Sequence, residues 1–268
     1  MLGLIVGESN LPKFLINKLL KKNAKFLILD LTKNNIYKKY KNSYSLKITQ
    51  LGKAISILNR NNCRNIIFIG NVKRPEISLL KLDGKALFYF PRLFSAFKKG
   101  DGNILKEVIK IFKENKINVV NSMKFTPELI FKEKEINNVK MNSSDKSSVS
   151  KGVRVIKSLS KFDIGQSVVI NNGYVLAIEG PEGTDETIKR SLYLFKKYKL
   201  KKKSILIKFP KANQDLRVDL PTIGLDTVKN CIKSNIKGIA VKRSQNIILD
   251  KDKIINIAKK NNFFIISL

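Results

Sequence analysis

The sequence predicts an α/β protein: a first domain built on a parallel sheet with helices on both faces, then a second, distinct α/β domain. Three observations predict it. Short apolar runs of strand length alternate with segments of helical spacing along the first half. A polar, Ser-rich stretch without apolar period interrupts that pattern near the middle of the 268-residue chain. Beyond it, a hairpin signal opens a new series of strands and helices.

In the first half, Leu2–Val6, Phe26–Leu29 and Asn65–Ile69 are the strand-length runs, and Leu11–Lys21 and Gly52–Arg60 carry helical spacing, as in Phe14, Leu15 and Leu19. Ile104, Leu105, Val108, Ile109 and Phe112 mark an amphipathic helix, followed by a short strand near Val119. These elements define a first domain over residues 1–132. Composition shifts at Glu133, and Lys140–Ser150 (KMNSSDKSSVS) has no apolar period, so 133–150 read as a linker. The second domain then covers 151–268. In it, Ser167–Ile170 and Tyr174–Ile178 flank Asn171-Asn172-Gly173, a turn in which glycine supplies a positive φ. Thr184 or Asp185 is placed to cap a helix reaching about Tyr198. Strands follow at Ile205–Lys208, Gly238–Val241, Ile247–Leu249 and Phe263–Ile266, with helices at Thr227–Ser234 and Lys251–Lys260.

Composition excludes whole classes of chemistry. The chain has no histidine, which removes Ser-His-Asp and Cys-His catalysis, histidine phosphotransfer and imidazole metal sites. Carboxylates, Lys, Arg and hydroxyls remain, the groups that work with a hard, oxygen-held cation. Cys63 and Cys231 make neither a disulfide framework nor a zinc knuckle, so a reducing cytoplasm is expected. No apolar run is long enough to span a bilayer, and Met1–Val6 is too short for a signal peptide, reading instead as a first strand. The net charge of +32 suits an anionic partner, yet the lysines are scattered among Asn and Ile as an AT-rich genome would place them. There is no RNA-recognition ribonucleoprotein motif, zinc spacing or basic arm, so no nucleic-acid partner is expected. The cluster Lys196–Lys203, with Tyr193, Phe195 and Tyr198, suits peripheral contact with an anionic inner-membrane surface or a solvated helix end. A homo-oligomer is compatible with all of these readings.

Candidate site residues lie at strand ends and glycine turns. The first strand runs into Gly7-Glu8-Ser9-Asn10, a strand–turn–helix without the G-x-G-x-x-G of a dinucleotide site, and with a carboxylate that would repel phosphate. At the end of the third strand, Gly70, Asn71 and Arg74 (GNVKRP) offer close backbone approach and a guanidinium fork for phosphate oxygens. Lys99, Gly100 and Asp101 precede the strong helix, where the carboxylate caps it or meets a metal. Asp163-Ile164-Gly165-Gln166 leads into the hairpin, and Glu179-Gly180-Pro181-Glu182-Gly183-Thr184-Asp185 leaves it: four acids around glycine turns. The richest stretch runs from Lys208 and Lys211 through Gln214 to Thr222. There Asp215, Arg217 and Asp219 alternate, and in an extended segment they would face one way. Two carboxylates among cations are what a Mg²⁺–phosphate site requires.

The order and spacing of GNVKRP (70–75), KGDG (99–102), DIGQ (163–166), EGTD (182–185) and QDLRVDLPTIG (214–224) resemble the bacterial UDP-2,3-diacylglucosamine pyrophosphatases of the LpxI type along nearly the whole chain. The resemblance implies a Rossmann-like N-terminal domain, a distinct C-terminal catalytic domain and a substrate cleft between them. It implies Mg²⁺-dependent hydrolysis of UDP-2,3-diacylglucosamine to 2,3-diacylglucosamine 1-phosphate (lipid X) and UMP in lipid A biosynthesis, with water attacking the phosphorus nearer the sugar. The essential aspartate of that family's R-x-D-L-P motif falls on Asp219, expected to hold the metal or orient the water, with Asp215 and Arg217 assisting. Gly70, Asn71, Arg74, Lys99, Gly100, Asp101, Gln166, Gly183, Thr184, Asp185, Lys208, Lys211, Gln214 and Thr222 are expected to contact the substrate. Two departures stand out: Gly7-Glu8-Ser9-Asn10 replaces a more Gly-rich turn, and Ala212 stands where proline is common.

Overall fold

The computed structural model describes residues 1–72, 82–136, 139–212 and 214–268, and the chain divides into two units, Met1–Thr126 and Pro127–Leu268. In the first, the strands β1 (Leu2–Val6), β2 (Phe26–Asp30), β3 (Ser43–Ser45), β4 (Asn65–Ile69) and β5 (Asn118–Val119) pair in the order β3-β2-β1-β4-β5, all parallel. This is the order of a doubly wound sheet. Leu4, Ile5 and Val6 are all buried, as a strand covered on both faces requires. The helices α1 (Leu11–Lys21), α2 (Leu51–Arg60), α3 (Gly84–Lys98) and α4 (Asp101–Glu114) complete the unit. Leu15, Ile16 and Leu19 form the buried stripe of α1, while Phe14 lies exposed.

At the switch point between β1 and β4, the loops that follow the two strands are tied together. Glu8 and Asn71 exchange backbone N–H···O bonds of 2.7 Å in each direction. A Cβ on Gly7 would overlap the Asn71 carbonyl, so only glycine permits this approach. The Glu8 carboxylate accepts from the Lys33 N–H at 2.9 Å.

The second unit holds α5 (Ser143–Leu159), β6 (Ser167–Asn171), β7 (Tyr174–Ile178), α6 (Thr184–Lys197), β8 (Ser204–Lys208), β9 (Thr222–Ile223), α7 (Leu225–Lys233), β10 (Ile236–Val241), β11 (Ile247–Ile248), α8 (Lys251–Lys260) and β12 (Phe264–Ser267). Its main sheet has the order β12-β10-β8-β6-β7. The strands β12, β10 and β8 are parallel, whereas β6 and β7 form the antiparallel hairpin at one edge. Strand alternation divides the core in two. Val168, Ile170, Ile205 and Ile207 pack with Val149 and Ile156 of α5. Val169, Leu206 and Ile239 face the other way, onto Ile188, Val228 and Ile254 of α6, α7 and α8.

The stretch 133–150 is not a linker. Ile136 N–H donates to Ile265 O and Ser267 N–H to Lys134 O, which joins 133–136 to the sheet beside β12. Ser143–Ser150 is the first half of α5, opened by a capping box in which the Asn142 side chain accepts from the Asp145 N–H at 2.8 Å and Asp145 reciprocates. Asp145 also pairs with Lys237 at 2.6 Å. The Ser-rich half turns only Val149 into the apolar core cluster, and so shows no period.

Candidate active site

The end of β8 gathers the polar groups of the second unit. Lys208 is its last residue, only 5% exposed, and lies opposite Ser167 of β6 and Val241 of β10. Its Nζ donates to Thr184 Oγ1 at 2.8 Å, and Thr184 Oγ1 donates to Glu179 Oε2 at 3.2 Å. The Ser167 hydroxyl donates to the same carboxylate oxygen. Asn246 Nδ2 donates to the Lys208 carbonyl at 3.3 Å, holding the strand end from the other side. Asp185, one residue after Thr184, accepts from Thr227 Oγ1 at 3.4 Å and Asn230 Nδ2 at 3.5 Å of α7.

The loop after β8 brings the second group. The Lys211 ammonium pairs with the Asp163 carboxylate, and the Lys211 N–H donates to Gln214 Oε1 at 2.7 Å. Gln214 also reaches Gln166 Oε1 at 3.5 Å and hydrogen-bonds the Asp219 carboxylate. Asp163 itself sits in the left-handed region with φ 59°. Beside it, Gly165 abuts Glu179 so closely that a Cβ there would overlap the Glu179 carbonyl. DIGQ therefore needs its glycine.

Electrostatics set this cluster apart. Burial lifts the Asp219 carboxyl above the ordinary aspartate range, while the Gln214 hydrogen bond and the Lys211 and Lys208 ammoniums oppose the rise. Burial likewise pushes the Lys208 ammonium below the ordinary lysine range, against the pull of Glu179, Asp185 and Asp219. A desolvated carboxylate set among two cations, at the carboxyl end of a parallel strand, is where an α/β sheet takes an anionic ligand. Gly183, with φ +83°, caps α6 through its backbone and leaves the helix start without a side-chain cap. Thr184 and Asp185, expected to cap, are the first helical residues instead.

The expected extended stretch 215–219 is a turn. Asp215 O accepts from the Val218 and Asp219 N–H groups at 3.1 Å each, and Asp215 Oδ1 accepts from the Arg217 N–H at 3.0 Å. An Asp carboxylate that caps its own chain two residues on favours a turn over a strand. Arg217 then closes on Asp215, Nε to Oδ1 at 2.9 Å and Nη2 to Oδ2 at 2.6 Å, and remains half exposed. Asp215 and Arg217 thus form their own pair, and Asp219 turns to Gln214 and the lysines. Thr222 Oγ1 donates to Leu220 O at 3.1 Å, within its own strand connection.

The structure therefore brings together Lys208, Lys211, Thr184, Asp185, Gln166, Gln214 and Asp219, which the sequence marked. It adds Glu179, Ser167 and Asp163, which the sequence left as acids and a hydroxyl near glycine turns. In the first unit, Gly70 and Asn71 follow β4, and Asn71 uses its backbone on Glu8. Gly100 is the N-cap of α4, Asp101 its first residue and Lys99 lies exposed just before it. Arg74 lies outside the described residues. Among the described residues, no set of three or more Cys, Asp or Glu side chains is placed to hold a metal by itself. No helix among them is long and apolar enough to cross a membrane.

Comparison with known proteins gives these features a context. The chain is 29% identical, over 224 residues, to the UDP-2,3-diacylglucosamine pyrophosphatase LpxI of Caulobacter vibrioides, covering 82% of this chain and 80% of that one. Family profiles described as the LpxI N-terminal domain and the LpxI C-terminal domain match residues 1–129 and 132–266. Together the two profiles span nearly every residue of both structural units, and the chain belongs to the LpxI family.

Proposed function

We propose that this protein is a hydrolase that cleaves the diphosphate of UDP-2,3-diacylglucosamine, releasing UMP and 2,3-diacylglucosamine 1-phosphate in lipid A biosynthesis. The observation that carries the reading is Asp219, desolvated, hydrogen-bonded to Gln214 and within reach of the Lys211 and Lys208 charges. The relative from Caulobacter vibrioides bears that activity in its name, and the alignment spans most of both chains.

The donor set suits Mg²⁺. This cation is commonly held by one or two carboxylates, with phosphate oxygens and water completing its shell, so a cage of protein ligands is unnecessary. Asp219 would hold it. Bound there, Mg²⁺ supplies neutralisation of the diphosphate charge. The protein's own groups do the rest. Lys208 and Lys211 take phosphate oxygens; Asp163 orients Lys211, and the chain Ser167–Glu179–Thr184 orients Lys208. Asp219 orients the water that attacks the phosphorus nearer the sugar. A new P–O bond forms there, the bridging P–O bond breaks, and the water's protons pass to solvent. UMP leaves as a phosphate monoester whose second pKa is about 6, so no strong general acid is needed. Asp215 acts through Arg217, holding its guanidinium at the rim of the loop. The reaction is placed in the cytoplasm, in keeping with the buried free thiols Cys63 and Cys231, and at the inner-membrane surface where a lipid-linked substrate resides.

The direct test incubates purified protein with UDP-2,3-diacylglucosamine, with and without Mg²⁺, and measures UMP. Mg²⁺-dependent UMP release that falls by about 10²-fold or more in Asp219→Asn is expected. Wild-type protein that forms no UMP with the metal present would remove this assignment.

A further inference from the structure

We infer that the outer side of α5 and the turn that ends it dock the second unit onto an anionic phospholipid bilayer, beside the candidate active site. The inference rests on the lipid-linked substrate proposed above, and it identifies the surface that meets the membrane.

Residues 146–162 contain Lys146, Lys151, Arg154, Lys157 and Lys161 and no acidic residue. Lys151, Arg154 and Ser158 run along one line of α5, while Val155, Leu159 and Phe162 run beside it at helical spacing. A groove of about 530 Å³ lies here, lined by Lys151, Arg154, Val155, Ser158, Leu159 and Ile178. Val155 packs at the edge of the core under α5, so the apolar floor of the groove is continuous with that core, and cations flank it on the outer side. The apolar line ends at Phe162 and Ile164, which are 63% and 41% exposed, with the Lys161 ammonium 5.0 Å from the Phe162 ring centre. An aromatic ring with a lysine over it suits the headgroup level of a bilayer, where ring and charge are both satisfied.

The position of this surface decides between candidates. Phe162 and Ile164 flank Asp163, whose carboxylate holds Lys211, and the Ile164 N–H donates to Leu159 O at 3.4 Å. Gly165, next in sequence, abuts Glu179. The exposed apolar tip is therefore built on the same turn as the site. The cluster around Tyr193 and Tyr198 lies toward the other end of α6, which begins at the site with Thr184 and packs on the opposite face of the sheet. In the first unit, Leu87 and Phe88 of α3 are exposed, but Arg92, one turn on from Phe88, is bound to Glu107 and Glu114, and α3 carries none of the groups gathered at the end of β8. Among these three surfaces, the α5 tip alone joins exposed apolar groups, an acid-free basic stretch and the site.

The chain contains no tryptophan, so Phe162→Trp provides a single indole at the tip, which can be excited apart from the seven tyrosines. Vesicles of phosphatidylglycerol with phosphatidylcholine should blue-shift its emission, and brominated acyl chains should quench it. Pure phosphatidylcholine vesicles, or high salt, should remove most of the effect. Phe162→Asp combined with Arg154→Glu should lower retention of the protein on anionic vesicles by about tenfold, while hydrolysis of a short-chain, monomeric substrate stays unchanged. Unshifted emission from the Phe162→Trp variant on vesicles that do retain the protein would place docking elsewhere and overturn the inference. So would equal retention of the double variant. Absence of UMP from the short-chain substrate with wild-type protein would instead sink the proposed function, independently of the vesicle result.

Discussion

Lys208 and Asp219 occupy positions where ionised groups are poorly solvated, and each is shifted toward its neutral form by that burial. For Asp219 the folded-state pKa is raised, so its contribution to stability is complete below the unfolded value and is lost as pH rises through the folded value. Asparagine has no proton to lose there. Asp219→Asn should accordingly melt at or above the wild-type temperature near neutral pH, with the gap widening as pH rises above the ordinary aspartate value of about 4. Thermal melts of both proteins across that range check this; an inactive Asn variant that melts well below wild type would mean that the carboxylate is held for stability. At this scale the sequence was legible in residue type. QDLRVDLPTIG announced carboxylates among cations, and the Asp219 carboxylate feels the Lys211 and Lys208 charges. The direction of each side chain was not legible, because Asp215 caps its own backbone and draws Arg217 away from Asp219.

Among elements, Asp83 connects two helices. Its Oδ1 accepts from Gly52 N–H at 3.0 Å and Ala86 N–H at 2.8 Å, and its Oδ2 accepts from Lys53 N–H at 2.9 Å. One carboxylate thereby satisfies unpaired donors at the starts of both α2 and α3, where it also meets the positive end of each helix. Asp83→Ala should destabilise the protein by about 1–2 kcal/mol, measured by urea unfolding, and an unchanged midpoint would count against the double cap. Asp83→Asn should recover part of the loss. Helix α3 was itself not legible from the sequence. Phe88, Tyr89, Phe90, Leu93, Phe94 and Phe97 surround it without a single apolar stripe, and Pro91 interrupts its hydrogen bonding. Helix α5 was concealed for the opposite reason, too few apolar residues in its first half. In β7, one extra residue between Val175 and Ala177 breaks the simple alternation and brings Ile178 to the α5 side.

Across the whole molecule, 53 basic residues face 21 acidic ones, and a field of that sign works against the compact state. Sodium chloride raised from about 10 mM to about 150 mM shortens the screening length from about 30 Å to about 8 Å. The melting temperature should therefore rise over that interval. A fall would show that surface ion pairs outweigh the repulsion. The same charge, gathered over residues 146–162 without acids, is what an anionic bilayer would meet.

From sequence alone came the α/β class, most strand and helix positions, the two halves, the exclusion of histidine chemistry and the family motifs. These depend on local periodicity, turn residues and composition, which a chain carries along its length. Tertiary structure alone decided which groups meet. Ser167, Glu179, Thr184 and Lys208 converge because antiparallel register sets Ser167 opposite Lys208 at the end of β8, and Asp163 joins Lys211 across 48 residues. Strand pairing and burial are properties of distant segments in contact, and no single segment contains them.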